Sequence, residues 1–444
     1  MTHLPQREFG RSSVRLTTVG FGGAAIGNLY RPIEDSVAAD TVTAALTEGI
    51  RYCDTAPHYG FGMSERRLGA VLAEAPDVVI STKVGRTLKP VGAGAARDRH
   101  GFVDADPFEP EFDYSYDAVM QGFDESLRRL GRDRVEIVFA HDLGVQTHGE
   151  DHSARFKQFM DGGYRALEQL KADGRIQAIG IGANEWQVCA EALRHGDFDG
   201  FLMAGRYTLL EQTALDSFLP LCATRAASVV IGGPFNSGIL AQGVRTGSPV
   251  RFNYSPAPPE VIKKVGAIED LCREHDVSLK AAALQFVLAH PQVTSVIPGA
   301  ASPAEAAEAV HLIHARIPDE FWDALRSGGL LRSDAPTAPP QSSGQTGRGL
   351  ILLHPSDNVL VTAVDIRAGD LLVIDGRTVS APDPVRVGHK VARHDLNVGD
   401  GVRKYGAPIG SMTADAVPGA HVHMHNMKSD YIASHTRDAV GGPA

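Results

Sequence analysis

The feature that most constrains this chain is a repeated unit: a short apolar run, a polar residue at its end, then a stretch of amphipathic helical period. The apolar runs fall at 18–22, 51–54, 78–83, 135–141, 178–182, 200–204, 228–232 and 294–297. Helical patterns lie between them at 36–48, 64–72, 116–130, 163–173, 187–194 and 259–275, continuing at 278–289. Continuous apolar runs alternating with helices predict a parallel sheet covered on both faces. Eight such units in a little over three hundred residues fit a closed eight-stranded α/β barrel. A doubly wound open sheet is the competing arrangement. It is disfavoured because no Gly-x-Gly-x-x-Gly turn follows the first run.

Composition bounds the partners. The formal net charge of −10 argues against a nucleic-acid ligand, which needs concentrated Lys and Arg. No apolar stretch approaches the ~20 residues that span a bilayer, and the start MTHLPQREFG is too polar for a signal peptide. Cys53, Cys189, Cys222 and Cys272 are scattered without metal-ligand spacing, as expected of a reduced, cytoplasmic chain. The Pro-, Ser- and Gly-rich stretch SDAPTAPPQSSGQTGRG marks a flexible linker, because it holds almost nothing to bury. The expected organisation is therefore a barrel over 1–332, a linker over 333–348, a small module over 349–432 and a tail over 433–444. In the small module an apolar-x-x-Gly pattern followed by Asp or Ala occurs in IRAGDLL, LNVGDGV and AVPGAHV, which predicts short strands joined by glycine turns.

A barrel of this kind gathers its chemistry where the strands stop. Those positions hold Asp54, Lys83, His141, Asn184 and Arg206/Tyr207, then the loop 232–240 and Pro298-Gly299. Asp54 and Tyr59 are five apart, Lys83 closes VVISTK, and His141 closes VEIVFAHD. A Tyr phenol, with an ordinary pKa near ~10, is expected to become more acidic beside a Lys ammonium that a carboxylate orients. A His then fixes the substrate oxygen, giving a proton-transfer site for a carbonyl–alcohol pair without a metal. Each residue alone has an ordinary explanation, as a loop aromatic, a turn-starting Asp or a satisfied core His. A lysine at a buried strand end is the hardest to explain structurally.

The stretches VGFGGAAIGN, YCDTAPHYGFGMSERRLG, STKVGR and RVEIVFAHD resemble the aldo-keto reductase superfamily over roughly 7–325. The resemblance implies a (β/α)8 TIM barrel and a catalytic tetrad of Asp54, Tyr59, Lys83 and His141. FDYSYDAVMQGFDESLRRLG, IGIGANEW, GRYTLLEQ and GGPFNSGIL resemble the branch of D-threo-aldose (L-fucose) 1-dehydrogenases. That branch implies NAD(P)-dependent oxidation of a free sugar of the L-fucose, D-arabinose or L-galactose type at C1 to the lactone. Carbonyl reductase, pyridoxal 4-dehydrogenase and a non-enzymatic cofactor sensor or docking protein are the alternatives. The resemblance further implies that Asn184 bonds the nicotinamide carboxamide, Tyr207 stacks on the ring, and Gly233, Pro234, Phe235, Ser237, Ile239 and Leu240 wrap the pyrophosphate. Pro298, Gly299, Ser302, Glu305 and Glu308 complete the implied cofactor set. NAD is expected over NADP, because Glu305 stands where an Arg is usual and Ala309 where an Asn is usual. Ser302-Pro303-Ala304-Glu305 also reads as a capping box.

In the small module, HPSDNVLVTAVDI, VGHKVARHDLNVGDGVRKYGAPIG and HVHMHN resemble the SAF-type (β-clip-like) small subunit or N-terminal domain of altronate and galactarate dehydratases. His421, His423 and His425 alternate, so a strand would point them to one face. With His389 and Lys390 they are candidates for a divalent metal or a sugar-acid carboxylate, the alternative being a polar subunit face. The resemblance implies docking onto a separately encoded large dehydratase subunit. The segment 86–113, rich in Gly and charge, is expected to shape substrate choice, although its conformation is not readable.

Overall fold

The computed structural model describes residues 4–92, 96–337, 349–354, 356–375 and 377–429. The chain divides into two compact units, Met1–Pro339 and Pro340–Ala444.

The first unit is the expected barrel. Its strands are β1 (Phe21–Gly22), β2 (Tyr52–Asp54), β3 (Val79–Val84), β4 (Ile137–His141), β5 (Ala178–Ala183), β6 (Gly200–Ala204), β7 (Ser228–Gly232) and β8 (Val293–Ile297). They pair in parallel in chain order, and β8 returns to the first segment through bridges at Val19–Val296 and Gly22–Gly299. The helices that follow the strands are α1 (Asp35–Thr47), α2 (Met63–Leu72), α3 (Tyr116–Leu130), α4 (Tyr164–Ala172), α5 (Gln187–Ala192), α6 (Phe218–Arg225), α7 (Leu279–Leu288) and α8 (Pro303–Leu312). Helix α3 shows why such segments are helical. Ser115 caps its start, Gly131 ends it in a left-handed conformation, and Val119, Phe123, Leu127 and Leu130 share one buried face. No helix among the described residues is long and apolar enough to cross a membrane.

Two excursions were not foreseen. An antiparallel hairpin, Gln6–Glu8 with Arg15–Thr17, precedes the barrel. It helps plug the interior, where Phe9, Val14 and Leu16 join Tyr52, Phe139, Leu202 and Ile297 in one apolar cluster. Phe9 meets Phe139 edge to face at 6.1 Å. A Cβ on Gly200 would lie 2.4 Å from the Phe9 ring, and one on Gly180 would lie 2.6 Å from Phe139, so the two glycines make room for the plug. The second excursion gives the 86–113 segment its form: Arg86–Pro90 pairs with Phe108–Phe112, and a smaller hairpin of Asp98–Arg99 with Phe102–Val103 lies between them.

The linker reading needs correction at its start. Residues 333–337 are held by the first unit, with Ala335 buried and Arg326 donating to the Ala335 carbonyl and the Thr337 hydroxyl. One small apolar side chain and one arginine suffice to dock this polar stretch. The remainder of the expected linker, 338–348, and the tail from 433 lie outside the described residues.

The described residues of the second unit form β-strands and turns without a helix, with a four-stranded sheet of Leu350–Ile351, Val359–Thr362, Lys390–Ala392 and His421–Val422. Alternate residues of its central strands feed two separate cores: Leu360 and Val391 one, Val359 and Ala392 the other. The glycine-turn pattern occurs four times rather than three. Ile366, Val385, Leu396 and Ala416 are each buried and followed three residues later by Gly369, Gly388, Gly399 or Gly419, with φ of 88°, 82°, 93° and 86°. The bridges Ile366–Val385 and Leu396–Ala416 pair these turns two by two, so the unit is built from two similar halves.

The plug generates a prediction. Phe9→Ala should destabilise the chain by about 3–5 kcal/mol in chemical denaturation, the cost of truncating a fully buried aromatic.

Candidate active site

Inward-facing positions alternate along a strand, so a residue inside at one layer is followed two positions later by another inside. Tyr52, Ser81 and Phe139 are buried on β2, β3 and β4, and Asp54, Lys83 and His141 follow two residues later toward the C-terminal ends of the same strands. Lys83 Nζ lies 2.6 Å from Asp54 Oδ2 and also donates to the Thr55 carbonyl at 2.9 Å. The Ser81 hydroxyl donates to Asp54 Oδ1 at 2.7 Å and is itself paired with the Tyr52 hydroxyl at 2.9 Å. Asp54 and Lys83 are 1% exposed, so neither charge is shared with bulk water.

Tyr59 stands on the tight turn Tyr59–Gly62 that follows β2. Gly60 adopts a φ of 63° there, and a Cβ on it would lie 2.5 Å from the Gly27 carbonyl oxygen, so the turn requires glycine. Lys83 Nζ is 4.6 Å from the centre of the Tyr59 ring, and the His141 ring lies 6.0 Å away at 86°. The structure thus brings together all four residues of the expected tetrad.

The expected acidity of the phenol does not follow. Tyr59 is half-buried, and desolvation by the surrounding protein pushes its phenol well above its ordinary value, with the carboxylates of Asp54 and Asp142 pushing the same way and Arg86 opposing them. The Lys83 charge is spent on Asp54, 2.6 Å away. His141 moves down, first through burial and then through the cations Arg86 and Lys83, so its imidazole is neutral at physiological pH. Burial also raises the Asp54 carboxyl, against the opposing pull of Lys83 and Ser81.

Tyr59 lines two adjoining cavities of about 510 and 520 Å3. The second is lined by Lys83 and His141 together with His58, Arg86, His100, Phe102, Asp142 and Asn184. His58, Arg86 and Asp142 were not among the expected site residues, although each lies within a stretch already noted. Burial and the Arg86 charge drive His58 down to about 2.

The first cavity is the elongated groove where a cofactor was expected. Gly233, Pro234, Phe235, Ser237, Pro298, Gly299, Glu305 and Glu308 line it. Asn184 lies in the neighbouring cavity, its amide donating to Asp142 Oδ1 at 3.3 Å. Four expectations fail. Tyr207 is fully buried against Phe286 at 5.0 Å and His290 at 5.3 Å, because its ring fills the core under α7, and it lines neither cavity. Tyr254 is an aromatic shared by both cavities. Ile239 and Leu240 also point into the core, leaving Gly238 and Ala241 at the groove. Ser302 does not line the groove; its hydroxyl caps α8 by accepting from the Glu305 amide at 3.3 Å. The reciprocal bond of the capping box is shifted, Glu305 Oε2 accepting from the Ala301 amide at 2.8 Å. Two unforeseen cations stand here: Arg31, 3.6 Å from Glu305, and Lys280, which donates to Glu308 at 2.7 and 2.8 Å. The groove suits a dinucleotide. Its walls are apolar at Leu202, Ile297, Ala309 and Leu312, and its carboxylates can accept from ribose hydroxyls.

Four histidines of the second unit, His389, His421, His423 and His425, form a ring cluster. His389 Nδ1 and His421 Nε2 are 2.9 Å apart, and the rings of His423 and His425 lie 5.4 and 5.2 Å from that of His421. The metal expectation is not supported: among the described residues no group of three or more His, Cys, Asp or Glu could hold a metal ion. The strand ends at Val422, so the alternation that would align His423 and His425 with His421 does not continue.

The buried pair generates a second prediction. Asp54→Asn should destabilise the protein by about 3–5 kcal/mol by stranding the Lys83 charge, and adding Lys83→Met should restore most of the loss in denaturant titrations.

The comparisons with known proteins agree with this geometry. Residues 18–328 match the Aldo/keto reductase family, and residues 348–430 match the Altronate/galactarate dehydratase SAF domain. Over 337 residues the chain is 42% identical to a pyridoxal 4-dehydrogenase of Microbacterium luteolum, covering 73% of this chain and 98% of that one. Over 328 residues it is 38% identical to a D-threo-aldose 1-dehydrogenase of a Pseudomonas species, covering 72% and 96%. Among solved structures, an aldo-keto reductase from Bacillus halodurans in its holo form superposes with a TM-score of 0.58 at 24% identity, covering 76% of this chain and 99% of that one, which bears on the fold alone. The chain belongs to the aldo/keto reductase family, as an NAD(P)-dependent oxidoreductase barrel joined to a SAF domain of the altronate/galactarate dehydratase type.

Proposed function

We propose that the barrel oxidises a free aldose at C1 to its lactone. The observation that carries this reading is the placement of Tyr59, on the wall shared by the groove and the polar cavity, with Lys83 and His141 beside it. Once the phenol has lost its own proton to solvent, Tyr59 takes the proton of the C1 hydroxyl as hydride leaves C1, and neutral His141 donates a hydrogen bond to the same oxygen. Lys83, held by Asp54, keeps a positive charge near the phenol. A bound nicotinamide cofactor supplies the hydride acceptor. NAD is the preferred form, because Glu305 and Glu308 line the groove and each already holds a cation. A 2′-phosphate would have to compete with those carboxylates for Arg31 and Lys280. A ribose hydroxyl can instead donate to them.

A second reading, pyridoxal oxidation, is supported by the 42% identical relative and by an aromatic lining of Tyr30, Phe102 and Tyr254 that suits a flat ring. For the second unit the reading is a docking module for a separately encoded large dehydratase subunit, supported by its match to the SAF domain of those enzymes. Lactone opening yields a sugar acid, the class of compound such a subunit would consume. Native purification of the full chain without any dehydratase partner would remove that part.

Absorbance at 340 nm with L-fucose, D-arabinose, L-galactose and pyridoxal decides between the substrates, and a sugar should support turnover with NAD at least about tenfold better than with NADP. Inertness toward every sugar would overturn the aldose reading. Tyr59→Phe should abolish turnover while cofactor binding persists. Because burial holds the phenol protonated, kcat/KM for oxidation should keep rising with pH through about 9.5, whereas a plateau near neutrality would require an acidic phenol.

A further inference from the structure

We infer that Asp142, held by Arg86, is a positioning residue that fixes the His141 ring in the tautomer whose Nε2 carries the proton. The inference rests on the proposed role of His141 as donor to the substrate oxygen and adds how that donor is set.

Asp142 follows directly on β4 with a φ of 52°, a left-handed conformation that an L-residue keeps only when its surroundings enforce it. They do so from four directions. The Asp142 amide donates to the Gly182 carbonyl at 2.8 Å, and the Tyr114 hydroxyl lies 2.6 and 3.2 Å from the carbonyl oxygens of His141 and Asp142, aimed at both. The side chain of Asn184 donates to Asp142 Oδ1 at 3.3 Å, and Arg86 donates to Oδ2. Arg86 is itself steadied by the face of Phe112, 4.4 Å from its guanidinium carbon, so the inserted hairpin reaches the catalytic cavity through this contact.

The result is a carboxylate oxygen 3.4 Å from His141 Nε2. On the other side of the ring, Nδ1 is buried with no hydrogen-bond partner. A proton on Nδ1 would leave a buried donor unpaired, whereas a proton on Nε2 faces a carboxylate and the open cavity. The Nε2–H form is therefore selected, in a cavity that Asp142 and Tyr59 also line.

The test uses the full chain with 15N-labelled histidine, His141 being assigned by the signals absent from His141→Gln. In the ligand-free wild type, Nε2 should show a protonated shift and Nδ1 an unprotonated one. Asp142→Asn should mix the two tautomers and lower kcat at least about tenfold, with sugar KM moving less than about threefold. Should that variant not fold, Arg86→Lys, which keeps the charge but loses the planar fork, should give the same mixing and an intermediate loss of kcat. An Nδ1–H tautomer in the wild type, an unchanged tautomer in the variants, or a loss confined to KM would overturn the inference. Because the tautomer is read without substrate, its failure is distinguishable from failure of the aldose reading.

Discussion

The ion pair of Lys83 and Asp54 is the contact around which the site is organised. Two opposite charges, 2.6 Å apart and closed to water, hold only if every remaining donor and acceptor is answered. Ser81 and the Thr55 carbonyl supply those answers, and the Tyr52 hydroxyl supports Ser81. The pair ties β2 to β3 at the barrel mouth and places a cation under the Tyr59 ring. Below it the interior is filled by the Phe9 plug, so the polar groups face only upward, into the two cavities.

Burial then decides where protons reside. It lifts the Tyr59 phenol, lowers the His141 imidazole and leaves both neutral in the ligand-free protein. A lysine beside a phenol does not by itself make that phenol acidic, since a carboxylate bound to the lysine cancels most of its field. The geometry favours proton donation from Tyr59 in the resting state, and oxidation needs that proton removed first. The Arg86–Asp142 pair belongs to the same balance, adding one positive and one negative charge beside the histidine.

The barrel was legible because parallel strands buried on both faces must read as unbroken apolar runs, and because each run ends in a residue that the fold delivers to one rim. Strands β6 and β7 coincide with the readings at 200–204 and 228–232. The N-terminal plug was not legible, since strands of three residues leave no periodicity. The hairpin over 86–112 alternates weakly amid Gly and charge, and its pairing depends on Phe112 and Arg86, which meet only in space. Tyr207 shows the limit of arguing by resemblance: it lies three residues beyond the end of β6, and Phe286 and His290 draw the ring into the core. The fourth glycine turn was overlooked because His389 follows Gly388 where Asp or Ala follows in the other three. Tyr59's acidity was misjudged because adjacency is visible in a sequence and desolvation is not.

The proton balance of the site turns on Tyr59, a half-buried phenol that desolvation raises although a lysine stands beside it. An ultraviolet difference titration of the ligand-free full chain against Tyr59→Phe isolates this one phenolate. No Tyr59 ionisation is expected below the ordinary phenol value of about 10. A midpoint near neutrality would contradict it.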